Sequence, residues 1–466
     1  MRYKMSINGK LVGGVSTIGI EDRASGTVFE QCPIADEAQL DRAVAAAKAA
    51  FPAWASRTYA DRGVSLNQFA DALEENAGKM ATLLTREQGK PLAKAHDEIA
   101  WSIALLRFSA TQDLPHKTVR DNETGFIVET RTPLGVVAAI TPSNYPVLML
   151  VMKVAPALLS GNTVVAKPAP TTPLTTLLLG ELVLPVFPAG VLNVITIKND
   201  LATRLTCHPD VAKVSFTGST RTGIEVLQSA SSTLKRVTLE LGCNDAAIVL
   251  DDVDVDEVAP KIFMATMANS GQLCLAAKRI YAPRSISDRL CDALATLAKQ
   301  ALIDNGMGPS SQFVPIQNRA QYERVKELIE DSQDQGNIIA SGTPADGSGY
   351  FIPPTIVRDV SDDARLVREE RFGPTMPVLV YDGIDELIER VNNSGYGPGG
   401  TIWTKDTKRA FEIAQRVQTA TTWINCHVNF SFDVPPGGAG QSGMGVQLGQ
   451  EGLEEFTQLK VISAVR

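Results

Sequence analysis

The 466-residue chain has only four histidines, and its six cysteines (Cys32, Cys207, Cys243, Cys274, Cys291 and Cys426) include no CxxC pair. Zinc sites need clustered thiolate and imidazole ligands and disulfide frameworks need evenly spaced cysteines, so no metal site or disulfide set is expected and a reducing compartment fits best. Basic clusters are missing too. A net charge of -8 and a pI near 5.3 argue against nucleic acid or an anionic membrane surface as a partner. No apolar run is long enough to span a bilayer: the greasiest stretch, Val147 to Leu159, is broken by Lys153 and followed by Ser-Gly-Asn. The first ten residues lack the apolar segment of an export signal, so a cytoplasmic location with no membrane partner is expected.

What is present is ordinary globular composition, 44% hydrophobic and 21% charged, in a chain long enough for two or three structural units. Residues 34 to 112 read as helices, with an alanine-rich run from Asp36 to Phe51 and apolar residues at helical spacing from Tyr59 to Gln88. Gly125 to Arg131 reads as an extended ribbon. From Gly135 short β-branched runs (135–140, 163–166, 191–195, 212–216) alternate with helix-length stretches (146–159, 174–184, 201–207), the signature of βαβ units and a parallel sheet that binds ligands at the carboxyl ends of its strands. Arg236 to Gly242 is a further strand. A second α/β region runs from Ala246 to about Asn429, with strands at 246–250 and 376–381 and helices at 286–302 and 319–335. The glycine-rich segments 342–349 and 395–400 read as loops, and the tail 460–465 as a strand that could pair with the earlier ribbon.

Candidate chemistry sits at strand ends and in one loop. Cys274 lies in Asn269-Ser-Gly-Gln-Leu-Cys274, among small and amide residues that leave a thiol room for a substrate, although a single cysteine is more often a small buried hydrophobe. Glu240 ends a strand just before a glycine, where it is either a base or a surface charge. Gly218-Ser-Thr-Arg-Thr-Gly223 enters a helix and could aim N–H groups at a phosphate, yet it is neither a Walker loop nor GxGxxG, and a plain strand-to-helix turn reads equally well.

Together these segments resemble the aldehyde dehydrogenase superfamily. Thr-Pro-Ser-Asn-Tyr-Pro146 resembles its TPWNFP segment, Phe-Thr-Gly-Ser-Thr220 its FTGST, and Glu-Leu-Gly-Cys-Asn-Asp245 its ELGGN. Asn-Ser-Gly-Gln-Leu-Cys274 is similar to the NxGQxC nucleophile motif, Glu-Glu-Arg-Phe-Gly-Pro374 to EExFGP, and Pro-Pro-Gly-Gly-Ala-Gly-Gln-Ser-Gly443 to PFGGxKxSG. The interval from Glu240 to Cys274, 274 minus 240 or 34 positions, also matches the family's base and nucleophile.

The resemblance implies an α/β fold with a Rossmann-like cofactor domain (1–114 and 134–242), an α/β catalytic domain (243–441) and a small β oligomerisation ribbon (115–133 and 457–466), the ribbon and tail pairing across subunits. It implies NAD(P)-dependent oxidation of a small-molecule aldehyde in a homodimer or homotetramer. Cys274 would be the nucleophile, Glu240 the base and Asn144 an oxyanion donor. Thr141, Lys167, Gly218, Ser219, Gly223, Gly242, Glu370 and Phe372 would hold NAD or NADP, and Tyr145, Met152, Leu273, Leu275 and Phe430 would line an apolar substrate tunnel. Three departures matter: Cys243 stands where the family has glycine, Gln447 where it often has a glutamate proposed to assist proton relay, and Pro170 where NAD-preferring members often carry glutamate. A CoA-acylating semialdehyde dehydrogenase and a non-catalytic structural member are the alternatives.

Overall fold

A computed structural model describes residues 2–342 and 349–466, so the expected loop at 342–349 lies mostly outside the described residues. Two sheets organise them. The first has eight strands in the order Gly443–Met444, Arg236–Glu240, Val211–Thr217, Val136–Ile140, Thr163–Lys167, Leu192–Val194, Met5–Ile7, Lys10–Val12. Its five central strands are parallel, as the βαβ alternation predicts, and antiparallel strands finish both edges. Val136–Ile140 and Thr163–Lys167 are buried along their whole length, which is why they are near-continuous apolar runs. The two N-terminal edge strands, and the hairpin Ser16–Asp22/Thr27–Ile34, were not visible in the sequence pattern.

The second sheet has seven strands in the order Asn337–Ser341, Thr355–Arg358, Thr375–Tyr381, Ala277–Pro283, Asp245–Val249, Gly399–Trp403, Thr421–Ile424, parallel except at the Asn337–Ser341 edge. The expected loop 395–400 therefore ends inside a strand that starts at Gly399. The apolar stretch from Tyr59 forms two helices, Tyr59–Glu75 and Ala77–Gln88, because the chain bends at Asn76.

The expected pairing of tail and ribbon is present, but within one chain rather than across subunits. Thr457–Val465 pairs antiparallel with Gly125–Pro133 inside the same chain, from Thr457↔Pro133 to Val465↔Gly125, and Lys117–Asn122 completes a three-stranded sheet. A marginal two-stranded hairpin gains its third strand from its own C-terminus rather than from a neighbouring subunit. Among the described residues no helix is long and apolar enough to cross a membrane.

Candidate functional site

The site lies where the carboxyl ends of the first sheet meet the turn that carries the thiol. Three consecutive residues of that turn, Asn269 (φ 52°), Ser270 (φ 54°) and Gly271 (φ 72°), are left-handed, a conformation that costs a non-glycine residue about 1–2 kcal/mol. Side-chain bonds to the segment 314–317 hold it. Ser270 Oγ donates to Val314 O (3.0 Å) and accepts from Val314 N (2.9 Å), while Gln272 Oε1 accepts from Gln317 N (2.8 Å). At Gly271 a side chain would run into Gly373 O, so both the positive φ and the close approach call for glycine. The strained turn sets Cys274 beyond it, half-buried, with a backbone N–H that donates to no described residue.

Asn144 reaches this turn from the start of the helix Pro146–Leu159. Its Nδ2 donates to Gln272 O (3.0 Å), and Asn269 Nδ2 donates to the same carbonyl (3.2 Å). One amide hydrogen of Asn144 is thus committed, which fixes the group beside the cysteine and leaves the second hydrogen to give. Together with the free Cys274 N–H this makes two donors for an oxyanion on a carbon bonded to the sulfur. Burial first, and Glu240 next, push the Cys274 thiol up to about 12, with Lys278 opposing.

Glu240 ends its strand opposite Thr217 on one side and Gly443 on the other. Its Oε1 is buried with no hydrogen-bond partner, and burial raises the carboxyl to about 8 against the pull of Lys153. Lys153, wholly buried in the helix Pro146–Leu159, donates to Thr217 Oγ1 (2.7 Å) and Ser215 Oγ (3.4 Å), and burial lowers it to about 7. The sequence reading passed over Lys153 as an interruption of an apolar run. A lysine inside a greasy helix was itself the signal, since a buried charge persists only with a partner or a task.

The expected cofactor residues fall on or near the same end of the first sheet. Lys167, at the end of Thr163–Lys167, is buried with no partner among the described residues, and desolvation lowers it to about 8. Thr141 Oγ1 is likewise buried and unpaired. Ser219 caps the helix Thr220–Ala230, accepting from Thr222 N (3.3 Å), after the Gly218 turn. Gly223 is buried where a side chain would strike Leu241, and at Gly242 a Cβ would lie 2.8 Å from Glu370 Oε2. Glu370 Oε1 accepts from Cys243 N (3.1 Å) and faces Lys278 Nζ (3.5 Å), whose ammonium lies 5.1 Å from the Phe372 ring centroid. Orphaned polar groups at Lys167 and Thr141, a capped helix start and a backbone cradle fit a dinucleotide.

The expected tunnel residues divide into groups. Leu273 and Leu275 flank the thiol; Leu275 O accepts from His427 Nε2 (2.7 Å), and Trp423 stacks edge-on with both His427 and the partly exposed Phe430. Burial lowers His427 to about 4, so its imidazole stays neutral. Met152 instead lines an apolar cleft with Leu105, Phe108, Pro156, Phe432 and Leu448, to which the other four do not contribute. Tyr145 lies under Lys90 Nζ, 3.6 Å from its ring centroid. Trp423, His427 and Phe432 carried no motif and were missed. Among the described residues no cluster could hold a metal ion.

Comparisons with known proteins point to one family. The model of the aldehyde dehydrogenase family matches residues 13–462. A putative aldehyde dehydrogenase of Gibberella fujikuroi is 37% identical over 92% of this chain and 91% of its own length. Aldehyde dehydrogenase 1A1 of Gallus gallus is 36% identical over 95% and 91%. The NAD+ complex of an aldehyde dehydrogenase from Bacillus cereus superposes with a TM-score of 0.97 at 34% identity, covering 100% of this chain and 97% of that one.

Proposed function

The chain belongs to the aldehyde dehydrogenase family, and from that premise we propose that it oxidises an aldehyde to the carboxylic acid by the hydrolytic route. The observation that carries this reading is Glu240 Oε1, buried and unpaired in a site that also holds Cys274. The Cys274 sulfur attacks the aldehyde carbon, and the oxyanion formed is met by Asn144 Nδ2 and the Cys274 N–H. A nicotinamide dinucleotide, held by Lys167, Thr141, Ser219 and the Glu370 cradle, supplies the hydride acceptor when bound. Glu240 takes a proton from water as that water attacks the thioester on Cys274. A CoA-acylating enzyme releases its acyl group to a thiol and has no use for that base.

The NAD+ complex of the Bacillus cereus enzyme supports NAD as a cofactor. With Pro170 in place of a carboxylate nothing at that position repels a 2'-phosphate, so NADP is admitted as well. The cofactor body comprises 1–114 and 134–242, the catalytic body 243–441. The ribbon 115–133 with 457–466 exposes Leu459, Val461, Ile462 and Val465 and serves homodimer or homotetramer assembly. Leu273, Leu275, Phe430, Trp423 and a neutral His427 suit an aromatic or medium-chain aldehyde. Six unpaired cysteines suit the reducing cytoplasm.

The test is a panel of aliphatic, aromatic and carboxylated aldehydes with NAD or NADP, with and without CoA, followed by reduced-cofactor absorbance and product analysis. Free acid formed without CoA, and lost in Cys274→Ala, is expected. Acyl-CoA as the sole product refutes the hydrolytic route. Absence of any aldehyde-dependent cofactor reduction refutes enzymatic function.

A further inference from the structure

The strands Val211–Thr217 and Arg236–Glu240 run parallel with Lys213↔Arg236, Ser215↔Thr238 and Thr217↔Glu240 in register. Strand alternation puts Lys213, Ser215 and Thr217 on one face beside Thr238 and Glu240. Val137 and Ala139, the register partners of Lys213 and Ser215 on the next strand, continue that face as apolar surface. A face that is apolar on one strand is therefore polar on two, and Lys153, Lys213 and Ser215 have no exposed surface while Thr238 has 1%. Burying two lysines and a file of hydroxyls costs free energy unless each is paired.

The pairing forms a file. Lys153 Nζ bonds Thr217 Oγ1 (2.7 Å) and Ser215 Oγ (3.4 Å) at the Glu240 end. At the other end Lys213 Nζ bonds Thr238 Oγ1 (2.6 Å) and Glu455 Oε2 (3.2 Å), and Thr238 Oγ1 donates to Glu455 Oε2 (3.1 Å). Ser215 and Thr238 are register partners on neighbouring strands about 4.8 Å apart, which places the two halves side by side, a gap that a hydroxyl rotation or one water spans. The Glu455 side chain is 30% exposed, so a file that begins at Thr217, the register partner of Glu240, reaches solvent. Meanwhile Gln447 is an amide that cannot ionise, and its buried Nε2 has no partner.

We propose that Thr217, Lys153, Ser215, Thr238 and Lys213 relay the proton that Glu240 takes from the hydrolytic water to Glu455, which releases it at the surface. The proposal rests on the reading of Glu240 as the base. As the water oxygen bonds to the thioester carbon, its proton passes to the Glu240 carboxylate; collapse of the adduct breaks the C–S bond and returns the electron pair to Cys274 sulfur. Glu240 must shed that proton before the next turnover. Each hydroxyl accepts one proton and gives up its own, Lys153 and Lys213 each take the proton as amine and give it as ammonium, and the Glu455 carboxylate passes it to water. One proton enters and one leaves, with no change in redox state. Lys153, lowered to about 7 by burial and facing Glu240, Lys213 and Cys274, exchanges a proton near neutral pH. Lys213, which burial also lowers, faces Glu455 and Arg236.

The test uses the intact protein with Glu455→Gln, Glu455→Asp, Thr238→Val, Thr238→Ser and Glu240→Gln. Rapid mixing separates the burst of reduced cofactor from the steady state, across pH and with added imidazole. Glu455→Gln and Thr238→Val are expected to keep the burst and lose about tenfold in kcat, the lower part of what a proton-transfer group contributes. Imidazole, Glu455→Asp and Thr238→Ser are expected to restore it, which a packing defect would not allow for a soluble buffer. Glu455→Gln and Thr238→Val within twofold of the parent, while Glu240→Gln still stalls hydrolysis, overturns the relay and leaves the base intact. Unchanged turnover in Glu240→Gln removes the base, and the relay with it.

Discussion

Glu98→Gln is the perturbation whose size the structure specifies most directly. Glu98 is fully buried in the helix Leu92–Ser109; Oε1 accepts from Val147 N (2.9 Å) and Leu148 N (3.1 Å), and Oε2 meets Lys90 Nζ at 2.5 Å. It therefore fastens the first turn of the helix that begins just after Asn144, and it holds a lysine that is 1% exposed over the Tyr145 ring. Glutamine keeps an acceptor for the two N–H groups but removes the charge opposite Lys90. Breaking a buried pair from one side costs about 3–5 kcal/mol. The lysine can escape by losing its proton, which caps that cost near (10.4 − 7) × 1.36, or about 4.6 kcal/mol at pH 7. We expect Glu98→Gln to lose about 3–5 kcal/mol in equilibrium denaturant unfolding, together with a fall in kcat as Asn144 loosens. Lys90→Met/Glu98→Gln, with no stranded charge, should recover most of the stability. A loss under about 1 kcal/mol, or a double variant no more stable than the single one, refutes the reasoning.

Three further outcomes follow from the same geometry. Burial raises Glu240 to about 8, so the carboxylate form gains population as pH climbs through that value; the single-turnover deacylation rate should rise with pH and level above it, and Glu240→Gln should abolish the rise. The kcat/KM values with NAD and NADP should lie within about a hundredfold of each other, and Pro170→Glu should move the ratio toward NAD by at least about tenfold; a parent preference beyond about a thousandfold shows that another position controls the choice. Removing residues 460–466 strips the partners of Gly125 to Thr130 and the exposed Val461, Ile462 and Val465, and should shift sedimentation to smaller species.

Local order was legible from residue types because it rests on short-range periodicity. Alternating β-branched runs and helical stretches marked the parallel core of the first sheet, and Lys167, Thr217 and Glu240 at strand ends, with Thr141 just past Ile140, put polar residues where such a sheet presents them. The motif around Cys274 and its interval from Glu240 singled out the proposed nucleophile and the proposed base without coordinates. Edge strands were not legible: Met5–Ile7 and Lys10–Val12 have three residues each, too few for a period to show. Packing decided everything that depends on a distant partner. The tail closes on its own chain's ribbon because antiparallel pairing can be satisfied there, a matter of where residues 457–465 end in space. Met152 lines a cleft to which Leu273 and Phe430 do not contribute because the helix Pro146–Leu159 turns it toward Leu105 and Phe432. Above all, the sequence shows that Lys90, Glu98, Lys153, Lys213 and Glu455 are charged, and the apolar run around Lys153 hints at its burial, but it shows none of their partners. A charge's partner and its dielectric surroundings are properties of tertiary contact, and they alone turned five ordinary residues into a helix anchor and a buried polar file beside Glu240.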